Sequence, residues 1–236
     1  IKDLLKQGIK RDDGQSGELQ SIISTHSSHI VSESNFDDIK YLKKNDNNSV
    51  IAKNLKELKG KKAAFIIGGG SVQKNGVLER AQNYLKEVNI ESVVFSGVEA
   101  DPSIETVIKG AEFLTQEQPD IIIGLGGCSA IDAAKGMWIY YEYPDSRLEE
   151  LKELFAVKKL RKKAIMVAIP TTSGTGTEIT GLAVITDREK GTKYPIVSYE
   201  LTPDMAIIDG ELSASMPENV TANTGLDALS HGVEAY

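Results

Sequence analysis

The sequence predicts an α/β fold built on a parallel sheet with helices on both faces. Three observations carry this. From residue 63 onward, apolar runs of about four to six residues alternate with helical stretches of about eleven to fourteen. The apolar runs are nearly continuous, which is how strands buried on both faces read. Three of the runs end in small, hydrogen-bonding turns: Gly68-Gly69-Gly70-Ser71, Gly126-Gly127-Cys128-Ser129, and Pro170-Thr171-Thr172-Ser173-Gly174.

The elements follow in order. Residues 63–67 form the first strand, and residues 77–88 a helix. Residues 92–95 form the second strand, which stops at Ser96-Gly97. Pro102 opens a helix over 103–116, with Ile104, Val107, Ile108, Ala111 and Leu114 on one face. Residues 120–125 form the third strand, followed by a helix over 131–141, and residues 164–169 the fourth, stopped by Pro170. The rhythm then changes. Residues 182–186 and 193–199 flank Asp187-Arg188-Glu189-Lys190-Gly191, a hairpin signal. Residues 205–209 read as a further strand, and 217–224 and 226–236 as helices. That last pattern reaches Tyr236 without a cap, glycine or proline, so a continuing helical region is expected. The first residue is Ile1 rather than Met, and sequence upstream is expected too.

Composition sets the class. The chain has 236 residues, 40% hydrophobic and 26% charged, long enough to bury a core and unlike a disordered or collagen-like chain. Its 27 basic against 34 acidic residues give a net charge of −7, which argues against a nucleic-acid groove. Cys128 is the one cysteine, so no intrachain disulfide or cysteine-based zinc site can form, and a reducing cytoplasm is expected. No apolar run approaches the ~20 residues of a spanning helix, so no membrane partner is expected. Residues 1–40 read as an N-terminal extension with one short amphipathic helix over 1–10: a docking helix, an oligomer contact, or a loosely packed terminus.

Each turn has a chemistry. Gly126-Gly127 lies between a buried strand and a helix. Glycines let the backbone approach a ligand, and the free N–H groups and dipole of the helix start attract phosphate. Asp132 and Lys135 lie early on that helix. The same Gly-Gly pair also serves as a plain strand–helix turn. The Gly68–Gly70 turn carries no acid to grip ribose hydroxyls, and Ser71 with Lys74 leaves room and donors for a 2′-phosphate, which points to NADP; the same glycines also serve a plain tight turn. Thr171, Thr172, Ser173, Thr175 and Thr177 supply hydroxyls suited to ribose or phosphate, or to local backbone bonds. Asp227 and His231 are four apart, on one helix face, and could share a divalent cation or form a surface pair. A catalytic ion takes about three protein ligands, so this is an incomplete set; His26 and His29 are the other histidines.

The order of these motifs resembles the iron-containing (group III) alcohol dehydrogenase family. The resemblance rests on Gly97-Val98-Glu99-Ala100-Asp101-Pro102, the Gly126 to Lys135 turn and helix, Ala168-Ile169-Pro170-Thr171-Thr172-Ser173-Gly174-Thr175, Lys193-Tyr194-Pro195, Thr202-Pro203-Asp204 and Thr224-Gly225-Leu226-Asp227-Ala228-Leu229-Ser230-His231. It runs from about Leu55 to Tyr236, and the first turn looks like the NADP-preferring, butanol dehydrogenase-like branch. The resemblance implies a Rossmann-like parallel-sheet domain over 41–214, with the start of an all-helical metal-binding domain over 215–236. It implies that Gly126, Gly127, Cys128 and Ser129 wrap a pyrophosphate, with Asp101 and Asp132 near the cofactor. Gly69, Gly70 and Ser71 would face the adenosine ribose, and Thr171, Thr172 and Lys193 would also touch cofactor. Asp227 and His231 would be two metal ligands, of Fe²⁺ by resemblance, with Zn²⁺ open on affinity. The family's other two ligands are histidines that would lie beyond Tyr236. The implied reaction is hydride transfer between a primary alcohol or aldehyde and NADP(H), preferred over NAD(H), in a homodimer. The alternatives are a glycerol-dehydrogenase-like or dehydroquinate-synthase-like enzyme, or a non-catalytic nucleotide-binding module. Cys128 departs from the usual third glycine, Asp101 stands where Asn is common, and residues 1–40 match nothing in the family.

Overall fold

The computed structural model describes residues 54–56 and 58–235. The expectations for residues 1–40, His26 and His29 lie outside them. In chain order the elements are β1 (Lys62–Ile67), α1 (Ser71–Lys74), α2 (Val77–Glu87), β2 (Glu91–Phe95), α3 (Ile104–Glu117), β3 (Ile121–Gly126), α4 (Cys128–Glu142), α5 (Leu148–Leu151), β4 (Ile165–Pro170), β5 (Leu182–Asp187), β6 (Thr192–Val197), β7 (Met205–Ala206), α6 (Gly210–Ser213) and α7 (Glu218–Glu234). Five strands form one sheet in the order β2-β1-β3-β4-β7, every neighbouring pair parallel. β5 and β6 form a separate antiparallel hairpin.

Side-chain alternation along the strands splits the core in two. Ala64, Ile66, Ile122, Met166 and Ala168 face α3, α4 and the hairpin. Ala63, Phe65, Ile67, Ile121, Ile123, Leu125, Val167 and Ile169 face the other way, onto Leu78, Ala81 and Leu85 of α2. The register keeps each row aligned: Phe65 pairs with Ile123, Ile123 with Val167, and Val167 with Met205.

α4 is the central helix. Every residue from Ala130 to Glu142 is buried. Two glycines permit this packing. A methyl group at Gly124 would sit 3.1 Å from the Ile131 Cα, and one at Gly110 of α3 would run into Met137. At its far end, Glu142 accepts from the Trp138 indole at 3.0 Å and from the backbone N–H groups of Arg161 and Lys162 at 2.8 and 3.0 Å. This anchors the segment that leads into β4.

Three expectations need correction. The helix expected from residue 131 begins at Cys128, because Gly127 already serves as its N-cap. The two helices expected over 217–236 are one helix, α7; Gly225 inside it costs about 1 kcal/mol against alanine, too little to break it. The strand expected over 205–209 shrinks to β7, which pairs at the sheet edge only with Val167 and Ala168. Among the described residues no helix is long and apolar enough to cross a membrane.

Candidate cofactor and metal sites

From β1 the chain passes to β2 on one side and then to β3 on the other. That reversal opens a crevice beyond the carboxyl ends of β1 and β3, where parallel α/β sheets bind ligands. Because all five strands run the same way, the turns after β1, β2, β3 and β4 meet on this one edge.

After β1, Gly70 adopts φ +101°, a left-handed conformation that glycine takes without strain, and caps α1. Gly69, Ser71 and Lys74 are exposed, and a methyl group placed on Gly69 would meet no atom within 4 Å. After β3, Gly127 starts α4 with no side chain capping it, so the positive helix end stays available to an anion. Thr171 N–H donates to the Gly126 carbonyl at 2.8 Å, drawing the threonine loop against this turn. A methyl group on Gly127 would lie 3.4 Å from the Thr172 methyl. The Cys128 thiol is pushed up to about 12 by burial and by the Asp132 carboxylate, so it is neutral at pH 7.

The loop after β2 closes the edge from the hairpin side. Asp101 takes a left-handed φ of +53°, which Asp and Asn tolerate better than other side-chain residues. Its backbone N–H donates to Ser129 Oγ at 3.3 Å, and its carboxylate holds Lys193 Nζ of β6 at 2.7 Å. Arg188 Nη2 donates to the carbonyls of Ala100 and Asp101 at 3.4 and 3.3 Å. Glu99 accepts from Ser103 N–H at 2.9 Å and from the Thr106 hydroxyl at 2.8 Å, at the start of α3. Partial burial raises its pKa, but these hydrogen bonds prevail and bring it to about 2.

Asp132 is placed differently from the other expected cofactor residues. It is buried, turned inward, and accepts from the Thr177 hydroxyl at 2.7 Å and from Val184 N–H at 3.0 Å. Beside it Lys135, fully buried, donates to the carbonyls of Thr177, Thr180 and Leu182 at 2.6, 2.8 and 2.8 Å. Burial pushes the Lys135 ammonium down to about 8 against the pull of Asp132, leaving it charged at neutral pH; burial raises the Asp132 carboxyl. The pair therefore ties α4 to the threonine loop and to β5, and fixes the edge from beneath. Sequence reasoning missed this role of Lys135, and missed Arg188 and Glu99. The signal for the first was present: an Asp and a Lys three apart in a helix otherwise almost wholly apolar.

Asp227 and His231 lie side by side on α7, with Oδ1 and Nε2 3.3 Å apart. That is about the spacing of adjacent ligands on a tetrahedral ion with bonds near 2.1 Å, so carboxylate and imidazole fit half of a donor set for a first-row cation. Among the described residues no group of three or more His, Cys, Asp or Glu side chains gathers to hold a metal. The threonine loop abuts this helix: a methyl group on Gly174 would run into the Thr224 carbonyl.

Comparison with known proteins identifies the family and the fold. The family model for iron-containing alcohol dehydrogenase matches residues 40–210. An NADPH-dependent butanol dehydrogenase of Clostridium saccharobutylicum is 52% identical over 182 residues, covering 77% of this chain and 47% of the relative. A bifunctional aldehyde-alcohol dehydrogenase of Escherichia coli (strain K12) is 45% identical over 185 residues, covering 75% of this chain and 21% of the relative. The solved iron-containing alcohol dehydrogenase of Thermococcus thioreducens superposes with a TM-score of 0.72 at 31% identity, covering 83% of this chain and 52% of that one. The chain thus spans about half the length of the butanol dehydrogenase and less of the bifunctional enzyme. With fold, motif order and relatives in agreement, the chain belongs to the iron-containing alcohol dehydrogenase family.

Proposed function

We propose that the complete protein is a metal-dependent, NAD(P)-linked alcohol dehydrogenase and aldehyde reductase, moving hydride between the nicotinamide and a primary alcohol or aldehyde. The single observation that carries this reading is the convergence of four turns on one sheet edge, with the Asp227–His231 helix abutting the fourth at Gly174. The family match favours it over the glycerol-dehydrogenase-like and dehydroquinate-synthase-like alternatives.

In this reading Gly126, Gly127, Cys128 and Ser129 bind the pyrophosphate through backbone N–H groups at the uncapped start of α4. Gly69, Gly70 and Ser71 accept the adenosine ribose. Lys74 supplies a cation for a 2′-phosphate, in keeping with the NADPH-dependent relative. Thr171 and Thr172 orient the cofactor with their hydroxyls. Asp132 and Lys135 act as positioning residues that hold the threonine loop at the crevice. Asp227 and His231 hold the divalent ion, Fe²⁺ with Zn²⁺ as competitor. When bound, that ion supplies Lewis acidity to the substrate oxygen. We also read residues 41–214 as the nucleotide-binding unit and 215–236 as the start of a helical one, in a cytoplasmic homodimer.

The test uses the complete protein loaded anaerobically with Fe²⁺. Aldehyde-dependent oxidation of NADPH with butyraldehyde is the expected result; no oxidation with any short-chain aldehyde overturns the reading. Gly69→Asp sharpens it. Gly69 has open space around it, whereas an aspartate at Gly70 would be strained at φ +101°. The new carboxylate should shift preference from NADPH toward NADH about tenfold. An unchanged ratio removes this turn from the ribose end of the site.

A further inference from the structure

We propose that Asp101 is a resident counterion for Lys193, which the cofactor displaces on binding, so that Asp101 sets cofactor affinity and its salt dependence. The inference rests on the cofactor reading above and extends it to a residue pair whose charges cancel in the free protein.

Geometry carries the argument. Asp101 stands at the mouth of the phosphate turn, its N–H on Ser129 Oγ. Its carboxylate is 2.7 Å from Lys193 Nζ, and both side chains are more than half exposed, at 58% and 55%. Neither is locked by burial, so the pair can open at small cost. The backbone under it is locked. Arg188 grips the carbonyls of Ala100 and Asp101, Glu99 is held by Ser103 and Thr106, and Thr186 N–H donates to the Pro102 carbonyl at 2.8 Å. The hairpin therefore applies two cations to one loop for different ends: Arg188 fixes its main chain, and Lys193 is loaned to its side chain. An incoming dinucleotide brings a stronger anion to the uncapped start of α4. It draws Lys193 away from Asp101. The ion pair must exchange partners, and the cost of opening it is taken from the binding free energy.

The experiment measures NADPH dissociation constants of the complete protein by nicotinamide fluorescence, across a range of salt, for the wild type, Asp101→Asn, Lys193→Met and the double variant. Asn keeps the left-handed backbone, so the loop is preserved. Asp101→Asn should tighten NADPH about three- to tenfold at low salt, with a steeper salt dependence. Lys193→Met should weaken it by a similar factor, and most of the Asp101→Asn gain should vanish in the Lys193→Met background. Binding in Asp101→Asn equal to or weaker than wild type overturns the proposal. A gain undiminished in the Lys193→Met background also overturns it, because Asp101 would then repel the cofactor without engaging Lys193. A wild-type protein that binds no NADPH at all is a different failure: it overturns the cofactor reading itself.

Discussion

Helices α4 and α7 both carry residues of the proposed site, and they are packed in opposite ways. α4 is buried from Ala130 to Glu142, with a lysine and an aspartate inside it that both bond Thr177. α7 has no buried residue, and its Leu226, Leu229 and Val233 are 62%, 62% and 68% exposed. The first helix presents its N-terminus to the crevice from a rigid base. The second presents the Asp227–His231 pair, the proposed metal ligands, from a helix whose apolar side is uncovered among the described residues. The sheet and α4 thus form a continuous core with the proposed cofactor site on its edge, and α7 carries the two proposed metal donors on a single face. With the metal removed, substitutions at these two donors should therefore leave the stability of the α4 core unchanged.

The largest expected effect falls on α7. In the complete protein, Asp227→Ala or His231→Ala should abolish iron retention and cut turnover about a thousandfold or more, while the unfolding free energy, compared with wild type after chelation of the metal from both, should change by less than ~1 kcal/mol. Metal analysis and denaturant titration on the same samples read both quantities. Full turnover in either variant removes the metal assignment, and a large stability loss breaks the contrast between the helices.

Next comes the buried pair in α4. Lys135→Met leaves the Thr177, Thr180 and Leu182 carbonyls without their donor and the buried Asp132 without a nearby cation, and should cost about 3–5 kcal/mol in a denaturant titration at pH 7. Adding Asp132→Asn should recover part of that loss. A single variant as stable as wild type would mean that the Lys135 bonds to the threonine loop and β5 do not hold them to α4.

The smallest effect concerns acid. Glu99 has a folded pKa of about 2, below its ordinary 4.5. Its stabilisation is complete above pH ~4.5 and is lost as pH falls toward 2, because the unfolded chain takes up the proton first. Allowing for its partial exposure, that is about 1 kcal/mol. Glu99→Gln should remove this slope from the stability profile in that window. An unchanged slope assigns acid lability to other carboxylates.

Much of the α/β sheet region was legible in the sequence. The strands at β1, β3 and β4 announced themselves as short apolar runs closed by small residues, and α2 and α3 by their apolar faces. α1 and α5 were not legible, because a single turn has too few residues for a period. Asp132 illustrates a different gap. Spacing set it in the first turns of α4, as a residue near phosphate, but rotation about the helix turned it toward Thr177 and Val184. Spacing alone does not say which side of a helix meets a ligand and which meets a second loop.

The sequence by itself determined the alternation of strands and helices, the glycine positions that left-handed turns require, and the i, i+4 placement of Asp227 and His231. Each is local, set by periodicity or backbone freedom within a few residues. Only the tertiary structure decided that four turns share one edge, that Lys135 is spent on three carbonyls, and that Asp101 meets Lys193 across 92 positions of the chain. These depend on parallel strand order and on the hairpin folding back over the β2 loop. They are contacts between distant segments, which no local pattern encodes.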